Sequence, residues 1–424
     1  MEIIEMAKQI EGKGGRLYLV GGAVRDKYMN IEPHDTDYCV TGLNCDEFEE
    51  LFPKAYKRGK FFCVYDIEGI EFALARRDIK IGEKHTDFEV QTDKNITIEE
   101  DLQRRDVTIN SIAIDVLTGK VIDPFGGIKD IENRVIRATS NAFADDALRV
   151  YRVAVLATKY GFDIEENTLN LMRELKPTLN YISGERVLEE LKKALRCDKP
   201  SIFFDVLRKV DCLDVHFKEI YDLIGVIQPV EYHPEGDAYN HTMEVVDRAA
   251  QMTKETKIRF AALTHDLGKA KTRKENWPHH YGHEKYGVHC IASLCNRLHV
   301  SNQWRKAAIV ACTEHMIGGM YDEIRTAKKV DLIDRVYRTS LGIEGLEIIV
   351  NADKHPEKKI EFAEIGKYIM ENINGKEMVN ITDYNVLKEK VRAKRIRYLQ
   401  TLENTDVEPL DSTKKEEKAE DLER

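Results

Sequence analysis

The chain has 424 residues, 42% hydrophobic and 33% charged, with a formal net charge of −10. That length supports two or more domains with their own cores, and the acidic balance excludes a non-specific nucleic-acid coat, so RNA contacts have to come from local basic patches. No apolar run approaches a membrane span, and the amphipathic start MEIIEMAKQIEG is not a signal peptide. Eight cysteines are scattered without a C-x-x-C pair. They are expected as buried or incidental reduced thiols of a cytoplasmic protein with no membrane partner.

Residues 1–11 predict a leading helix with Ile3, Ile4, Ala7 and Ile10 on one side. Arg16–Val20 predicts a strand that stops at Gly21–Gly22, and Ala23–Met29 a short helix. Strand, glycine turn and helix start together aim backbone N–H groups at an anion. Arg25 adds a cation shaped for a phosphate. The next strand carries Asp35 and Asp37, which share a face because residues two apart on a strand point the same way. Two carboxylates beside a phosphate cradle suit two-metal chemistry, with one ion activating a hydroxyl and the other steadying a leaving pyrophosphate.

GGAVRD followed by DTDYCV resembles the nucleotidyltransferase superfamily that includes DNA polymerase beta. Within it, the match is to the class II tRNA nucleotidyltransferases, the CCA-adding enzymes, and to the related bacterial poly(A) polymerases. The resemblance runs to about residue 370. It implies an α+β fold: an N-terminal polymerase-beta-like head with a mixed sheet, then an all-helical neck, body and C-terminal domain. It also implies Mg²⁺ at Asp35 and Asp37, CTP and ATP as donors, and the tRNA 3′ end as acceptor. Monomer and dimer are both compatible with the sequence.

Asp46–Leu51 predicts a helix, and Phe61–Asp66 with Gly69–Ala75 a hairpin turning at Glu68–Gly69. Glu71 is either a third carboxylate for the metal site or an exposed strand glutamate. Residues 76–95 are polar and predict a loop; in the family, a flexible loop here is tied to the switch from C to A addition. EEDLQRRDVTINSIAID, residues 99–115, resembles the family's RRDFTINA segment. The resemblance places nucleotide phosphates on Arg105 and a ribose hydroxyl on Asn110; on its own, RRD also reads as a salt-bridged helix end. DPFGGIKDIENRVIR, residues 123–137, predicts a turn and a closing helix.

From Asn141 the pattern predicts continuous helix, with Asp146, Arg149 and Arg152 three residues apart on one face. An arginine held beside a carboxylate can mimic the hydrogen-bonding edge of a base. The family's EDxxRxxR pattern implies that Asp146 and Arg149 select the base and that Arg152 holds the nucleotide. Two positions depart from it: the leading glutamate is Asp145, and Val155 replaces a further arginine. GERVLEELKKAL, residues 184–195, predicts another helix.

After the turn segment QPVEYHPEGDAYN, His241, the pair His265–Asp266, His283, His315 and Asp353 resemble an HD domain. Imidazoles and carboxylates suit a divalent transition metal such as Ni²⁺, Mn²⁺ or Co²⁺. His241, His265, Asp266 and Asp353 would hold one ion, and His283 and His315 a second, for metal-assisted attack of water on a phosphate ester. His265 and Asp266 converge only if a helix end or bend separates them, where Gly268 can help. LKEKVRAKRIRYLQ, residues 387–400, is a basic helix that either touches the tRNA backbone or is a solvated face.

The expected organisation is a head over 1–137, a base-selecting neck over 138–197, a body over 198–228, an HD domain over 229–370, a basic helix over 371–403 and a disordered tail over 404–424. The expected activity is CCA addition or repair on tRNA with a second phosphatase or 2′,3′-cyclic phosphodiesterase site. Alternatives are a poly(A), A-adding or CC-adding polymerase, an HD phosphohydrolase with an inactive head, and a non-catalytic tRNA-binding protein.

Overall fold

A computed structural model describes residues 2–33, 36–58, 63–80, 88–229, 231, 236–354, 359–376, 378, 381 and 383–404. The chain divides into two units, Met1–Val226 with Ser293–Val300, and Ile227–Ala292 with Ser301–Arg424.

The first unit holds β1 (Arg16–Val20), β2 (Asp37–Thr41), β3 (Tyr56–Arg58), β4 (Val64–Ile67), β5 (Ile70–Leu74), β6 (Arg76–Lys80), β7 (Phe88–Thr92), β8 (Ala113–Asp115) and β9 (Val121–Ile122). Seven of these form one sheet in the order β3-β4-β5-β2-β1-β8-β9. It is mixed, because β2 runs parallel to β5 while β1 is antiparallel to both β2 and β8. Alternation along β1 sends Leu17 to one face and Tyr18 and Val20 to the other. The first face is closed by the helix Ile3–Gly12 through Met6, Ala7 and Ile10, against Phe48, Tyr65 and Phe72. Each such fully buried aromatic contributes about 1.5–3 kcal/mol. Ile4, expected inside, is exposed, and Met6 takes its place.

The hairpin of β4 and β5 turns at Glu68–Gly69 as expected, both residues having positive φ. The predicted loop over 76–95 is instead built on a ribbon in which β6 pairs antiparallel with β7; residues 81–87 lie outside the described residues. The strand sequences RRDIK and FEVQT are mostly polar, so hydrophobicity alone under-reads them. The cysteine expectation also needs correction. Cys45 and Cys63 form a disulfide, a pairing that a spacing of 18 residues does not announce. The other six form no disulfide, and five of them are buried.

Continuous helix from Asn141 is corrected as well. Asn141–Asp145 is a 3-10 turn, Asp146 is extended, and the α-helix begins at Arg149 and runs to Tyr160. The Asp146 carboxylate accepts from the Leu148 N–H at 3.0 Å, an alternative to helical pairing that aspartate favours. The helix Gly184–Leu195 has the predicted bounds.

Among its described residues, the regular elements of the second unit are all helices. Its core packs alanines of Ala238–Met252, Thr256–Thr264 and Asn302–Gly319 against Leu346, Ile349 and Val350 of Gly342–Asp353. The basic helix is Tyr384–Asn404, and it is not a free solvated face. Leu399 joins the core, and Arg392 and Arg395 pair with Asp331 and Asp334. The expected disordered tail lies outside the described residues from 405 onward.

Candidate functional site

Asp37 opens β2 and is in register with Val20 on one side and Glu71 on the other. Paired residues of parallel strands project on the same face, so the two carboxylates are neighbours. Partial burial and then the Asp37 charge raise the Glu71 pKa above its ordinary value, against the lowering pull of Arg58. Asp35 lies outside the described residues. Gly21 has φ 70°, and a Cβ there would stand 3.1 Å from Arg105 Nη1 and 4.0 Å from Asp37 Oδ2. The glycine turn, Arg105 and Asp37 therefore border one space, and only a glycine leaves it open.

Behind that space lies a relay of buried ions. Arg105 and Arg104 both pair with Asp101, so the salt-bridged helix end is real. The Arg25 guanidinium is not an open cation. It packs against Gly22, donates through Nε and Nη2 to Asp26 and through Nη1 to Asn110 Oδ1, and lies 4.7 Å from the Tyr160 ring centre. The Asn110 amide in turn donates to Asp106 at 3.1 Å, and Asp106 takes the Arg152 fork at 2.8 Å. Asn110 thus bridges Arg25 to the Asp106–Arg152 pair. Burial alone would raise the Asp106 pKa, but the Arg152 charge, the hydrogen bonds from Asn110 and Arg152 and the Arg149 charge together outweigh it and bring the carboxyl down to about 2.

Asp146 and Arg149 do not pair as expected. Asp146 Oδ2 accepts from Arg186 at 2.8 Å, whereas Arg149 donates to the backbone carbonyls of Ala142 and Arg104. Burial lowers the Arg149 pKa against the charges of Asp106 and Asp146, which places all three in one electrostatic cluster. Sequence reasoning missed Asp106 as the hub and Arg186 as the partner of Asp146. RRD pointed at the first, and only the packing of Gly184–Leu195 reveals the second.

In the second unit the α-helix Thr256–Thr264 ends just before His265, and Asp266 leaves helical geometry at φ −112°, ψ 10°. The bend lets neighbouring residues converge. A Cβ on Gly268 would fall 1.9 Å from the His283 carbonyl oxygen, so glycine allows this turn to touch the helix carrying His283. All six predicted ligands assemble. Asp266 Oδ2 lies 3.1 Å from His265 Nε2 and 3.6 Å from His241 Nε2; Oδ1 lies 3.2 Å from His283 Nε2 and 3.5 Å from His315 Nε2. Asp353 Oδ1 is 2.9 Å from His241 Nε2 and 3.4 Å from His265 Nε2.

Two sets result, His241–His265–Asp266–Asp353 and Asp266–His283–His315, with Asp266 common to both. His265, His283 and His315 each direct Nδ1 at a backbone carbonyl, which fixes the ring and turns Nε2 inward. His265 Nε2 and both Asp266 oxygens are buried without an aligned hydrogen-bond partner. Orphaned lone pairs among imidazoles and carboxylates fit divalent metal ions. Without metal, burial lowers the His265 pKa, but Asp266 and Asp353 more than reverse this and push it up to about 10.

Known proteins share this layout. Residues 17–137 match the poly A polymerase head domain, 161–223 the probable RNA and SrmB-binding site of polymerase A, and 238–339 the HD domain. Over 351 residues the chain is 41% identical to the multifunctional CCA protein of Mannheimia succiniciproducens, covering 79% of this chain and 83% of that protein. This chain belongs to that family. It is an enzyme, a nucleotidyltransferase of the CCA-adding type. The α+β head and the helical remainder agree with solved folds. A CCA-adding enzyme solved with ATP superposes with a TM-score of 0.65 at 21% identity, over 96% of this chain and 94% of that one. The Thermotoga maritima CCA-adding enzyme solved with tRNA-CCA superposes with a TM-score of 0.66 at 20% identity, over 96% and 92%.

Proposed function

We propose that this enzyme completes or repairs the 3′-terminal CCA of tRNA from CTP and ATP without a nucleic-acid template. The observation that carries the reading is the space bordered by Gly21, Arg105 and Asp37, with Glu71 in register beside Asp37. The tRNA 3′ hydroxyl attacks the nucleotide α-phosphate, and pyrophosphate leaves. Asp35, Asp37 and Glu71 would hold Mg²⁺, which supplies charge neutralisation at the phosphates. Gly21, Gly22 and Arg105 line the triphosphate, and Arg25 and Asn110 hold that wall in place. Asp146, Arg149 and Arg152 present the base-selecting edge; a carboxylate accepts from the amino group that C and A both carry, and an arginine donates to a ring acceptor. The proposed division of labour is head 1–137, neck 138–197 and body 198–228, then an HD domain over 229–370 and a basic helix over 371–403. The proposed place of action is the cytoplasm, following the tRNA; no helix among the described residues is long and apolar enough to cross a membrane.

The HD site supports a second activity, hydrolysis of phosphate monoesters or 2′,3′-cyclic phosphates with a metal such as Ni²⁺, Mn²⁺ or Co²⁺. Its support is the convergence of four imidazoles and two carboxylates, among which His265 Nε2 and both Asp266 oxygens are buried without an aligned hydrogen-bond partner. The polymerase reading is tested on tRNA lacking its CCA, with CTP and ATP supplied singly and together and products resolved to one nucleotide. Two C additions, one A addition and arrest are expected. A alone, CC alone or an open-ended tail would move the enzyme to a sister activity.

A further inference from the structure

Lys269 is buried three residues after Asp266, on the 3-10 turn Leu267–Lys271. Its ammonium is 2.6 Å from Asp266 Oδ2, yet its aligned hydrogen bond goes elsewhere, to Oε1 of buried Gln228 at 2.6 Å. Both Asp266 oxygens stay without an aligned donor. A lysine is seldom buried unless paired, and a buried carboxylate is strongly unfavourable without a counter-charge. Here the ammonium delivers charge to Asp266 while its aligned hydrogen bond goes to Gln228. The Asp266 oxygens face His241 and His265 on one side and His283 and His315 on the other.

We propose that Lys269 is a resident counter-cation of the HD site: anchored by Gln228, it stands beside Asp266 as a fixed positive charge, and so tunes the affinity for divalent cations. The proposal rests on the metal-site reading above. Its physics has two parts. In the metal-free protein Lys269 adds to His265 in offsetting the Asp266 charge. In the metal-loaded protein the same ammonium repels the incoming cation. Lys269 is a positioning residue in this scheme, and the trade is stability without metal against affinity for it.

The test uses the full chain, metal-stripped, titrated with Mn²⁺ by calorimetry and melted with and without Mn²⁺. K269M is expected to melt several degrees lower than the wild type without Mn²⁺, to regain most of that loss with it, and to bind Mn²⁺ about tenfold more tightly. K269R, which keeps the charge, is expected to follow the wild type. Q228L frees the ammonium to settle on the Asp266 lone pairs, so its Mn²⁺ affinity falls. Equal destabilisation of K269M with and without Mn²⁺, or Mn²⁺ binding no tighter than wild type, would overturn the proposal. A K269M chain that is soluble only when Mn²⁺ is supplied supports it. If K269M is insoluble under both conditions, Q228L decides: weaker Mn²⁺ binding supports the proposal and unchanged binding overturns it. A wild type that neither binds nor is stabilised by Mn²⁺ would instead sink the metal-site reading itself.

Discussion

In the first unit, Asp101 and Asp106 each face an arginine fork, and Asn110 carries the connection on to Arg25. In the second, four imidazoles and two carboxylates turn their lone pairs on one another, with only Lys269 as a fixed cation among the described residues of the cluster. The difference teaches what each site lacks. In the head-and-neck network Asp26, Asp101 and Asp106 each have an arginine partner and the arginines outnumber them, so on the proposed reading it frames a space for an anionic ligand. The HD cluster gathers its imidazoles and carboxylates about Asp266 rather than about arginines, and a metal ion would take the place of the proton that Asp266 and Asp353 hold on His265.

The sharpest way to separate the two sites is to disable one and watch the other. Replacing Asp37 by Ala removes a carboxylate from the head, and nucleotide incorporation into CCA-less tRNA should fall about a thousandfold or more. Phosphate-ester hydrolysis at the HD site should be unchanged; a parallel loss of both would break the independence of the two centres. The next effect tests whether the frame is truly ionic. Asp106→Ala leaves the half-exposed Arg152 guanidinium and the buried Asn110 amide without their carboxylate and costs about 1–3 kcal/mol. The loss should appear in urea unfolding and as faster hydrogen exchange in the helix Arg149–Tyr160, with exchange in Ala238–Met252 unaffected. A global loss of protection would mean that the frame is not local.

Acid gives the smallest effect and the cleanest sign. Asp101 and Asp106 are held at about 2 in the folded chain, below an ordinary 3.8. Lowered carboxyl pKa values contribute stability that is fully present above about pH 4 and is lost as pH falls toward 2, roughly 2 kcal/mol for each group. Unfolding of the first unit followed between pH 5 and 2 should show that decline. Asp106→Asn should reduce its slope. A flat profile would mean that the arginine forks do not stabilise the ionised carboxylates.

Much of both sites was legible. GGAVRD and DTDYCV announced a strand, a tight turn and a carboxylate, and β1, Gly21 and Asp37 stand accordingly. The HD ligands were all named through the resemblance to an HD domain that the His265–Asp266 pair carries, including the need for a bend at His265. The partners were less legible. Arg25 looks like a phosphate clamp from its motif, yet its guanidinium is largely occupied by Asp26 and Asn110. Asp146 and Arg149 sit three apart and look like a helical pair, but the chain is extended at Asp146 and its partner is Arg186, forty residues on. Residues 76–95 look like a loop because ribbon strands carry little hydrophobic signal.

By itself the sequence determined the chemistry present and the local geometry that short-range sterics dictate: the glycine turn, the helix Gly184–Leu195, and the alternation of β1. Tertiary structure alone decided who neutralises whom. It put Glu71 beside Asp37, Arg152 on Asp106, Asp266 between two histidine pairs and Lys269 between Asp266 and Gln228. The reason is that a charge is desolvated only by what packs around it, and those neighbours come from elements distant in the chain.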